Sequence, residues 1–233
     1  MLLFPLALAL SAGGISLTAS NTVHLAGPVT EDSVRRWTRE LALKTESPVY
    51  LYIDSPGGSV VAGSAFINAI EHQAAAQQKI VCIAEFAASM AFTILLACPR
   101  RVAMHHSIGM QHQMSLFVMG NLKSVQSRML LVEAMERAMV KAQCDKLDMT
   151  AEEFREKTRD DWWLYGAELL GSGAVDDIAT VGCAPSMAGK SSKCPLTAEP
   201  VEMMSGEGLC LPLRYVEQDR GPPTVWHARL CPT

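Results

Sequence analysis

One serine of this chain has a setting that suits nucleophilic chemistry. Ser89 stands in the segment Phe-Ala-Ala-Ser-Met-Ala-Phe, where a strand-like stretch passes into an apolar, helix-like one. Small neighbours leave the hydroxyl accessible, and the N-terminus of a helix favours negative charge that develops beside it. A serine hydroxyl is a weak nucleophile until a base takes its proton, so this hypothesis requires a partner. The alternative is a serine that only caps the helix.

Among six histidines, His112 is the candidate base, because it lies in an apolar, strand-like stretch between Met110 and Met114. A histidine held in this way can be fixed in one tautomer by a carboxylate. Asp160 and Asp161 are the candidates, because they precede two tryptophans that would partly desolvate them, and pairing with an imidazole N–H offsets that cost. The alternatives are a packing histidine and an exposed acid paired with arginine.

A glycine-rich turn, Ser-Pro-Gly-Gly-Ser at 55–59, follows a strand-like run and precedes a helix-like one. Two glycines let the backbone approach a ligand closely and turn N–H groups outward. Such groups can bind an oxyanion or a phosphate. The Gly-Lys-Ser/Thr sequence of phosphate loops is absent, which disfavours the phosphate. The alternative is an ordinary strand-to-helix turn.

The elements that would position these residues alternate along the chain. Periodicity, caps and breakers predict strands over 23–29, 48–53, 79–84, 101–104 and 109–113, and helices over 31–41, 60–75, 87–97 and 123–147. Thr150, with Glu153 at capping-box spacing, predicts a further short helix. This order indicates βα units and an α/β fold with a mostly parallel sheet.

Composition narrows the possible functions. The 233 residues carry a net charge of −4 and are 49% hydrophobic, which suits a well-packed domain. The sequence has no cluster of basic residues that would form a basic face, so a nucleic-acid partner is not predicted. No apolar run reaches the roughly 20 residues that span a bilayer. No Cys/His cluster has zinc spacing, so neither a metal nor a cofactor is predicted.

Both ends of the chain differ from its middle. Residues 1–19 are apolar and then small, typical of a signal peptide, with cleavage after Ala12 or Ala19. The mature chain would then be periplasmic or secreted. The alternative is a buried N-terminal strand or helix in a cytoplasmic protein. From residue 183 the chain becomes loop-rich. The predicted organisation is therefore a signal peptide over 1–19, a domain over 20–182 and a tail over 183–233.

Seven cysteines fall into two groups. Three lie in apolar or helical stretches and are predicted to be ordinary buried thiols: Cys82, Cys98 and Cys144. Four belong to the tail, and after export they could form two disulfides whose pairing the sequence does not give: Cys183, Cys194, Cys210 and Cys231.

Five segments together resemble the proteolytic subunit of the Clp protease, over roughly residues 23–178. They are His-Leu-Ala-Gly-Pro-Val (24–29), Tyr-Leu-Tyr-Ile-Asp-Ser-Pro-Gly-Gly-Ser (50–59), Ala-Ala-Ser-Met-Ala (87–91), Gly-Met-Gln-His-Gln (109–113) and the acid region from Thr150 to Asp176. The resemblance implies the fold shared by Clp peptidases and crotonases, with stacked ββα units, a mostly parallel sheet, a protruding handle helix and here a loop-rich tail.

The resemblance also implies roles. It makes Ser89 the nucleophile, His112 the general base and Asp161, rather than Asp160, the orienting acid. The N–H groups of Gly58 and Met90 would form the oxyanion hole. The implied activity is a serine endopeptidase that hydrolyses peptides or unfolded proteins.

The same resemblance implies a homo-oligomer of stacked rings, with the handle helix between rings. An ATPase partner is left open, because an exported chain would meet no cytoplasmic ATPase, and a stand-alone peptidase is predicted.

Three other functions stay open from sequence alone. Relatives of signal peptide peptidase A use a Ser-Lys dyad, for which Lys141 is the candidate. Crotonase-type acyl-CoA enzymes share the superfold and need no such serine. An inactive scaffold is the third, since the many methionines could line a peptide-binding surface, although core packing explains them better.

Overall fold

The computed structural model describes residues 14–187 and 194–197, which form one α/β unit. Its elements in chain order are β1 (Ile15–Leu17), β2 (Thr22–Ala26), α1 (Glu31–Ala42), β3 (Val49–Ser55), α2 (Val60–Ala75), β4 (Ile80–Ala88), α3 (Met90–Ala97), β5 (Arg100–Gln111), α4 (Leu122–Leu147), α5 (Ala151–Lys157), β6 (Trp162–Tyr165), α6 (Ala167–Gly171), β7 (Asp177–Ile178) and β8 (Val181–Cys183).

The central sheet has the strand order β2-β3-β4-β5-β6, with β7 paired to β5. Strands β2 to β5 are parallel, β7 is parallel to β5, and β6 is antiparallel to it. The predicted α/β fold with a mostly parallel sheet is therefore confirmed. The antiparallel strand β6 was not predicted, because its four residues lack the length and alternation that identify a strand in sequence.

Local sequence explains where the helices begin. Thr30 caps α1, and its side chain and that of Ser33 form a reciprocal capping box. The buried face of α1 carries Val34, Trp37 and Leu41 at helical spacing. Thr150 caps α5 in the same way with Glu153, as the sequence predicted.

Two predicted elements have different bounds in the structure. Residues 101–104 and 109–113 were predicted as separate strands, but β5 runs unbroken over Arg100–Gln111. The predicted helix over 87–97 begins only at Met90, because Ala87 and Ala88 extend β4 and pair with β5. This shift puts Ser89 between a strand and a helix. The seven residues from Met90 to Leu96 are all buried, so α3 is enclosed by the core.

The main core lies between the sheet and helices α1, α2 and α3, and a second apolar cluster lies on the opposite face of the sheet. Strand β1 pairs in parallel with β8, and its buried Ile15 and Leu17 pack in the same cluster as Tyr52 of β3. The cluster includes Cys194, which forms a disulfide with Cys183. Strand β1 lies within the predicted signal peptide. Cleavage after Ala12 would leave it in place, whereas cleavage after Ala19 would remove it.

The cysteine predictions have mixed outcomes. Cys144 is a buried free thiol, as expected. The prediction was wrong for Cys82 and Cys98, which form a disulfide between β4 and the end of α3. No local pattern indicates this pair, because the two cysteines come together only when the strand and the helix pack in the folded chain. Cys210 and Cys231 lie outside the described residues.

Within residues 14–187 and 194–197, no helix has the length and apolar character needed to cross a membrane. The same residues contain no group of three or more His, Cys, Asp or Glu side chains arranged to hold a metal ion.

Candidate active site

Ser89 occupies the junction between β4 and α3 in an unusual backbone conformation, with φ 55° and ψ −119°. Its position is that of a helix cap, yet its side chain makes no capping hydrogen bond. Its N–H donates to the carbonyl of Met110 on β5 at 2.8 Å, which fixes the junction to the neighbouring strand. A positive φ is uncommon for a residue other than glycine, and such strain is often found at functional sites. The hydroxyl is thus held at a sharp turn and is not used to cap the helix.

His112 follows directly after β5. The parallel register pairs Ala88 with Met110, so the residues after each strand emerge side by side. As a result, Oγ of Ser89 lies 2.8 Å from Nε2 of His112. This is a hydrogen-bond distance, and it would allow an imidazole to take the proton of the hydroxyl.

The glycine turn after β3 packs against this junction. Gly57 and Gly58 have φ values of +88° and +143°, which side chains other than hydrogen rarely permit. A Cβ atom on Gly57 would lie 2.7 Å from the amide nitrogen of Met90 and 2.8 Å from Cβ of Ser89. The turn therefore touches the backbone on both sides of the nucleophile.

Among the described residues, two N–H groups at this contact have no hydrogen-bond acceptor. Met90 is the first residue of α3, so its N–H has no partner within the helix. In the described part of the chain, neither this N–H nor that of Gly58 donates a hydrogen bond to another residue.

Asp161 is not in contact with the pair. It is exposed, and among the described residues its carboxylate makes no hydrogen bond or ion pair. It nevertheless lies at a defined place, because β6 begins at the next residue, Trp162, which pairs with Gln111. Extending this antiparallel register by one residue sets Asp161 opposite His112. The neighbouring Asp160 is exposed and lies 3.7 Å from Arg159.

Three buried polar residues beside the pair were missed by sequence reasoning: Gln111, Thr93 and Gln143, which are 5%, 7% and 5% exposed. Oε1 of Gln111 accepts the backbone N–H of His112 at 3.0 Å. Its Nε2 donates to Thr93 at 3.1 Å and to Oε1 of Gln143. Gln111 stands next to His112 in the sequence, but its partners are 18 and 32 residues away, so only the fold reveals the cluster.

A cavity of about 460 Å³ opens beside Ser89 and His112. Its wall is mostly apolar and includes Met90, Met129, Met139, Val140 and Phe154. Several of the methionines noted in the sequence therefore line a cavity next to the nucleophile. A space of this size accepts side chains of a peptide.

Charged side chains also line the cavity, among them Arg155 and Glu136, which pair at 3.6 Å. Burial, together with the negative charge of Glu85, raises the pKa of Asp54 to about 6, and Asp54 directly precedes the glycine turn. Lys141, the candidate for a Ser-Lys dyad, has a 74% exposed side chain and pairs with Asp145 at 2.6 Å. It does not line the cavity, so it is not placed to activate Ser89.

A parallel sheet that presents a serine at a strand-to-helix turn, with a histidine at hydrogen-bond distance, is the arrangement expected of a serine hydrolase. Comparison with known proteins makes the class narrower. The Clp protease family matches residues 15–182, and the chain belongs to this family. It is therefore a serine peptidase, and the predictions of family and enzyme class are confirmed.

Individual relatives are distant. A protein of Prochlorococcus marinus called ATP-dependent Clp protease proteolytic subunit 2 is 34% identical over 140 residues, which cover 57% of this chain and 66% of the relative, just under two thirds. A Streptomyces coelicolor protein called ATP-dependent Clp protease proteolytic subunit 1 is 28% identical over 180 residues, covering 74% and 81%. These findings support a peptidase over the acyl-CoA enzyme and the scaffold.

Proposed function

We propose that this chain is a serine endopeptidase that hydrolyses peptides or unfolded proteins with a Ser-His-Asp triad. The 2.8 Å distance between Ser89 Oγ and His112 Nε2 carries this proposal. The free hydroxyl at a strained turn and the adjacent cavity support it. Without the serine–histidine contact, the fold would support only membership of the family.

The reaction has two halves. Nε2 of His112 takes the proton of Ser89 as Oγ attacks the scissile carbonyl, and the resulting imidazolium gives that proton to the leaving amine as the C–N bond breaks. Water then enters, loses a proton to His112 and attacks the acyl-enzyme. The Oγ–acyl bond breaks, Ser89 regains its proton and the new carboxyl product leaves.

The oxyanion of each tetrahedral intermediate would be bound by the N–H groups of Gly58 and Met90. Both lie where the glycine turn meets α3, and both lack acceptors among the described residues. The N-terminus of α3 adds favourable partial charge. One such donor contributes roughly 3–4 kcal/mol to transition-state stabilisation.

We assign the orienting role to Asp161. Its support is the β5–β6 register, which sets it opposite His112, together with the match of its surroundings to the acid region of the family. A carboxylate there could accept the Nδ1–H of His112 after a side-chain rotation. We expect Asp161→Asn to lower kcat by about 100-fold or more. Asp160→Asn is the matched control and should keep wild-type kcat. Equal activity of all three proteins would remove Asp161 from the mechanism.

The central experiment compares wild type with Ser89→Ala. Hydrolysis of a fluorogenic peptide should fall by about a thousandfold or more, because the chemistry loses its nucleophile. A fluorophosphonate probe should label wild type at Ser89 and leave the variant unlabelled. Ser172→Ala, which changes a serine remote from the cavity, should keep both signals. Full hydrolysis by Ser89→Ala would refute the proposal.

The proposed role of His112 as general base also predicts how activity depends on pH. Activity should rise with pH as the imidazole becomes neutral, and His112→Ala should remove this rise together with most of kcat. A pH profile of kcat/KM over pH 5 to 9 measures both.

We also propose that the chain forms a homo-oligomer, by ring formation as the family resemblance implies. The relatives are named as subunits of ATP-dependent proteases. Degradation of an unfolded protein in the absence of ATP distinguishes a stand-alone peptidase from one that needs an ATPase. A stand-alone enzyme degrades an unfolded protein without ATP, whereas an assisted one degrades only short peptides until an ATPase is added.

The export prediction belongs with this proposal. Two disulfides, Cys82–Cys98 and Cys183–Cys194, are typical of an oxidising compartment. Fractionation of cells that express the full chain, followed by mass measurement of its N-terminus, distinguishes a periplasmic or secreted protein cut after Ala12 from a cytoplasmic one.

A further inference from the structure

We propose that Gln111 is a positioning residue that holds His112 in its reactive place, supported from behind by Gln143 and Thr93. The proposal rests on the peptidase mechanism above and deepens it. Gln111 also lines the cavity beside Ser89, but its amide is 5% exposed and is engaged by protein partners, so the proposed role is exerted through His112.

The reason begins with the end of strand β5. The strand runs to Gln111, so His112 is the first residue beyond it. His112 therefore lies just beyond the end of a strand, where backbone N–H groups no longer have the regular partners of the sheet. The side chain of Gln111 supplies one, because its Oε1 accepts the N–H of His112 at 3.0 Å.

The amide of Gln111 is itself held at its other end. Nε2 donates to the hydroxyl of Thr93 at 3.1 Å and to Oε1 of Gln143. Gln143 lies on α4, and its own Nε2 donates to the carbonyl of Met139 one turn earlier. The side chain of Gln111 is thus fixed between β5, α3 and α4.

The same network reaches the nucleophile. Thr93 is on the first turn of α3, and its backbone N–H and hydroxyl both donate to the carbonyl of Ser89, at 3.2 and 3.4 Å. One chain of hydrogen bonds therefore connects the backbone of the base with the backbone of the nucleophile. Because all three polar side chains are at most 7% exposed, removing one partner leaves a largely buried donor or acceptor without its hydrogen bond.

Burial of three polar side chains where the surroundings are apolar costs energy that ordinary packing would avoid. Two hydrogen bonds from Thr93 end on the backbone of Ser89, and one from the backbone of His112 ends on Gln111. A network with these ends constrains the one distance on which proton transfer depends, and errors of about 1 Å in such a distance can cost 100-fold in rate.

The test compares Gln111→Met with Gln111→Glu. Methionine fills the space but removes every hydrogen bond of the amide. Glutamate keeps an acceptor for the N–H of His112. It can also accept from the amide of Gln143 and the hydroxyl of Thr93, which would give up their bonds to Met139 and Ser89, while the backbone N–H of Thr93 still donates to Ser89. We expect Gln111→Met to lower kcat by 10- to 100-fold with KM within twofold of wild type. Gln111→Glu should retain at least a third of kcat. Its negative charge should also move the acidic limb of the pH profile to higher pH, because a nearby carboxylate favours the imidazolium.

Ser107→Ala is the control for general loss of stability. Ser107 is also buried on β5, and its hydroxyl donates to the carbonyl of Ala84 at 2.6 Å, away from the cavity. It should lower Tm as a buried hydrogen bond is lost, while kcat at 25 °C stays at the wild-type value. An equal loss of kcat in Ser107→Ala and Gln111→Met would mean that only stability was changed, and would overturn the proposal.

A second pair keeps the proposal testable if Gln111→Met fails to fold. Thr93→Val is nearly isosteric and removes the hydroxyl, whereas Thr93→Ser keeps it. We expect a three- to tenfold lower kcat for valine and a near-normal kcat for serine. Equal kcat in both would refute the network.

Failure of this proposal is distinguishable from failure of the mechanism. Activity that survives Ser89→Ala removes the mechanism. Loss of activity in Ser89→Ala, with wild-type kcat in Gln111→Met, removes the positioning role alone.

Discussion

The space around Gly57 decides whether the proposed oxyanion donors, the N–H groups of Gly58 and Met90, stay in place. A Cβ atom there would lie 2.5 Å from the carbonyl oxygen of Ala88 and 2.7 Å from the nitrogen of Met90, both backbone atoms that cannot turn away. The φ of +88° adds strain for any side chain. Alanine at this position must therefore displace the turn, the nucleophile junction or both.

We expect Gly57→Ala to lower kcat/KM for a peptide by about 100-fold, since small displacements of reacting groups have effects of this size. Gly171→Ala is the matched control, because a Cβ atom there would meet nothing within 4 Å. Peptide hydrolysis and circular dichroism, measured on both variants, check the claim. A fully active Gly57→Ala enzyme would show that the donors lie elsewhere.

At the scale of elements, a clamp fixes the start of β5 to the segment before β7. The guanidinium of Arg101 pairs with the carboxylate of Asp176 and donates to the carbonyl of Gly173 at 3.1 Å. Their backbones are joined as well, since the N–H of Asp176 donates to the carbonyl of Arg101 at 2.8 Å. Side-chain exposures of 11% and 24% make this a mostly buried pair.

We expect Asp176→Asn to lower the free energy of unfolding by about 2–4 kcal/mol, because a buried guanidinium loses its countercharge. The neighbouring pair Arg100–Asp177 is 39% and 41% exposed, so Asp177→Asn should cost under about 1 kcal/mol. Urea unfolding of the three proteins at pH 7 measures the difference. Equal effects of the two substitutions would contradict the role of burial.

The same pair gives a pH dependence of defined sign. Burial alone would raise the pKa of Asp176, but the hydrogen bonds and the positive charge of Arg101 outweigh it and hold the pKa below its usual value. A lowered pKa in the folded state means that the unfolded state binds protons more readily. The stabilisation is therefore present above about pH 4 and is lost as pH falls through the folded-state pKa. The gap between wild type and Asp176→Asn should close in the same range.

The predictability of these elements depended on how local their signals are. Helices α1 and α5 carry their capping residues and periodicity within one short segment, so their existence followed from the sequence. Strand β6 depends on pairing with β5 across some fifty residues, and no local pattern identified it. The end of β4 was misjudged because alanines and a serine suit a helix as well as a strand.

The residues of the site also divide into those that a local sequence pattern predicts and those that only the folded chain brings together. Ser89, His112 and the glycine turn were found because each follows a recognisable strand, and parallel strand ends meet at one edge of a sheet. Gln143 could not be found, because a glutamine on an amphipathic helix is usually exposed, and only the approach of α4 to β5 buries it. The Cys82–Cys98 disulfide was missed for the same reason.

At the scale of the whole molecule, the segment from residue 116 to residue 131, between His112 and the middle of α4, carries several exposed apolar side chains. Phe117, Met119 and Leu122 are 88%, 74% and 73% exposed. On α4 itself, Leu130 and Leu131 are 68% and 61% exposed. Large exposed apolar side chains of this number are typical of interaction surfaces, so we infer that they meet another copy of the chain in the proposed homo-oligomer.

We expect the double variant Leu130→Glu and Leu131→Glu to dissociate the oligomer, because association would bury two charges against an apolar partner surface. Leu43→Glu is the control, since Leu43 is 72% exposed at the end of α1 and outside this segment. Light scattering after size-exclusion chromatography reports the mass of each protein. Circular dichroism should show that both variants are folded, because Leu43, Leu130 and Leu131 are exposed and do not contribute to the core. An unchanged mass for the double variant would exclude α4 as the contact between subunits, whereas dissociation by Leu43→Glu would move that contact to α1.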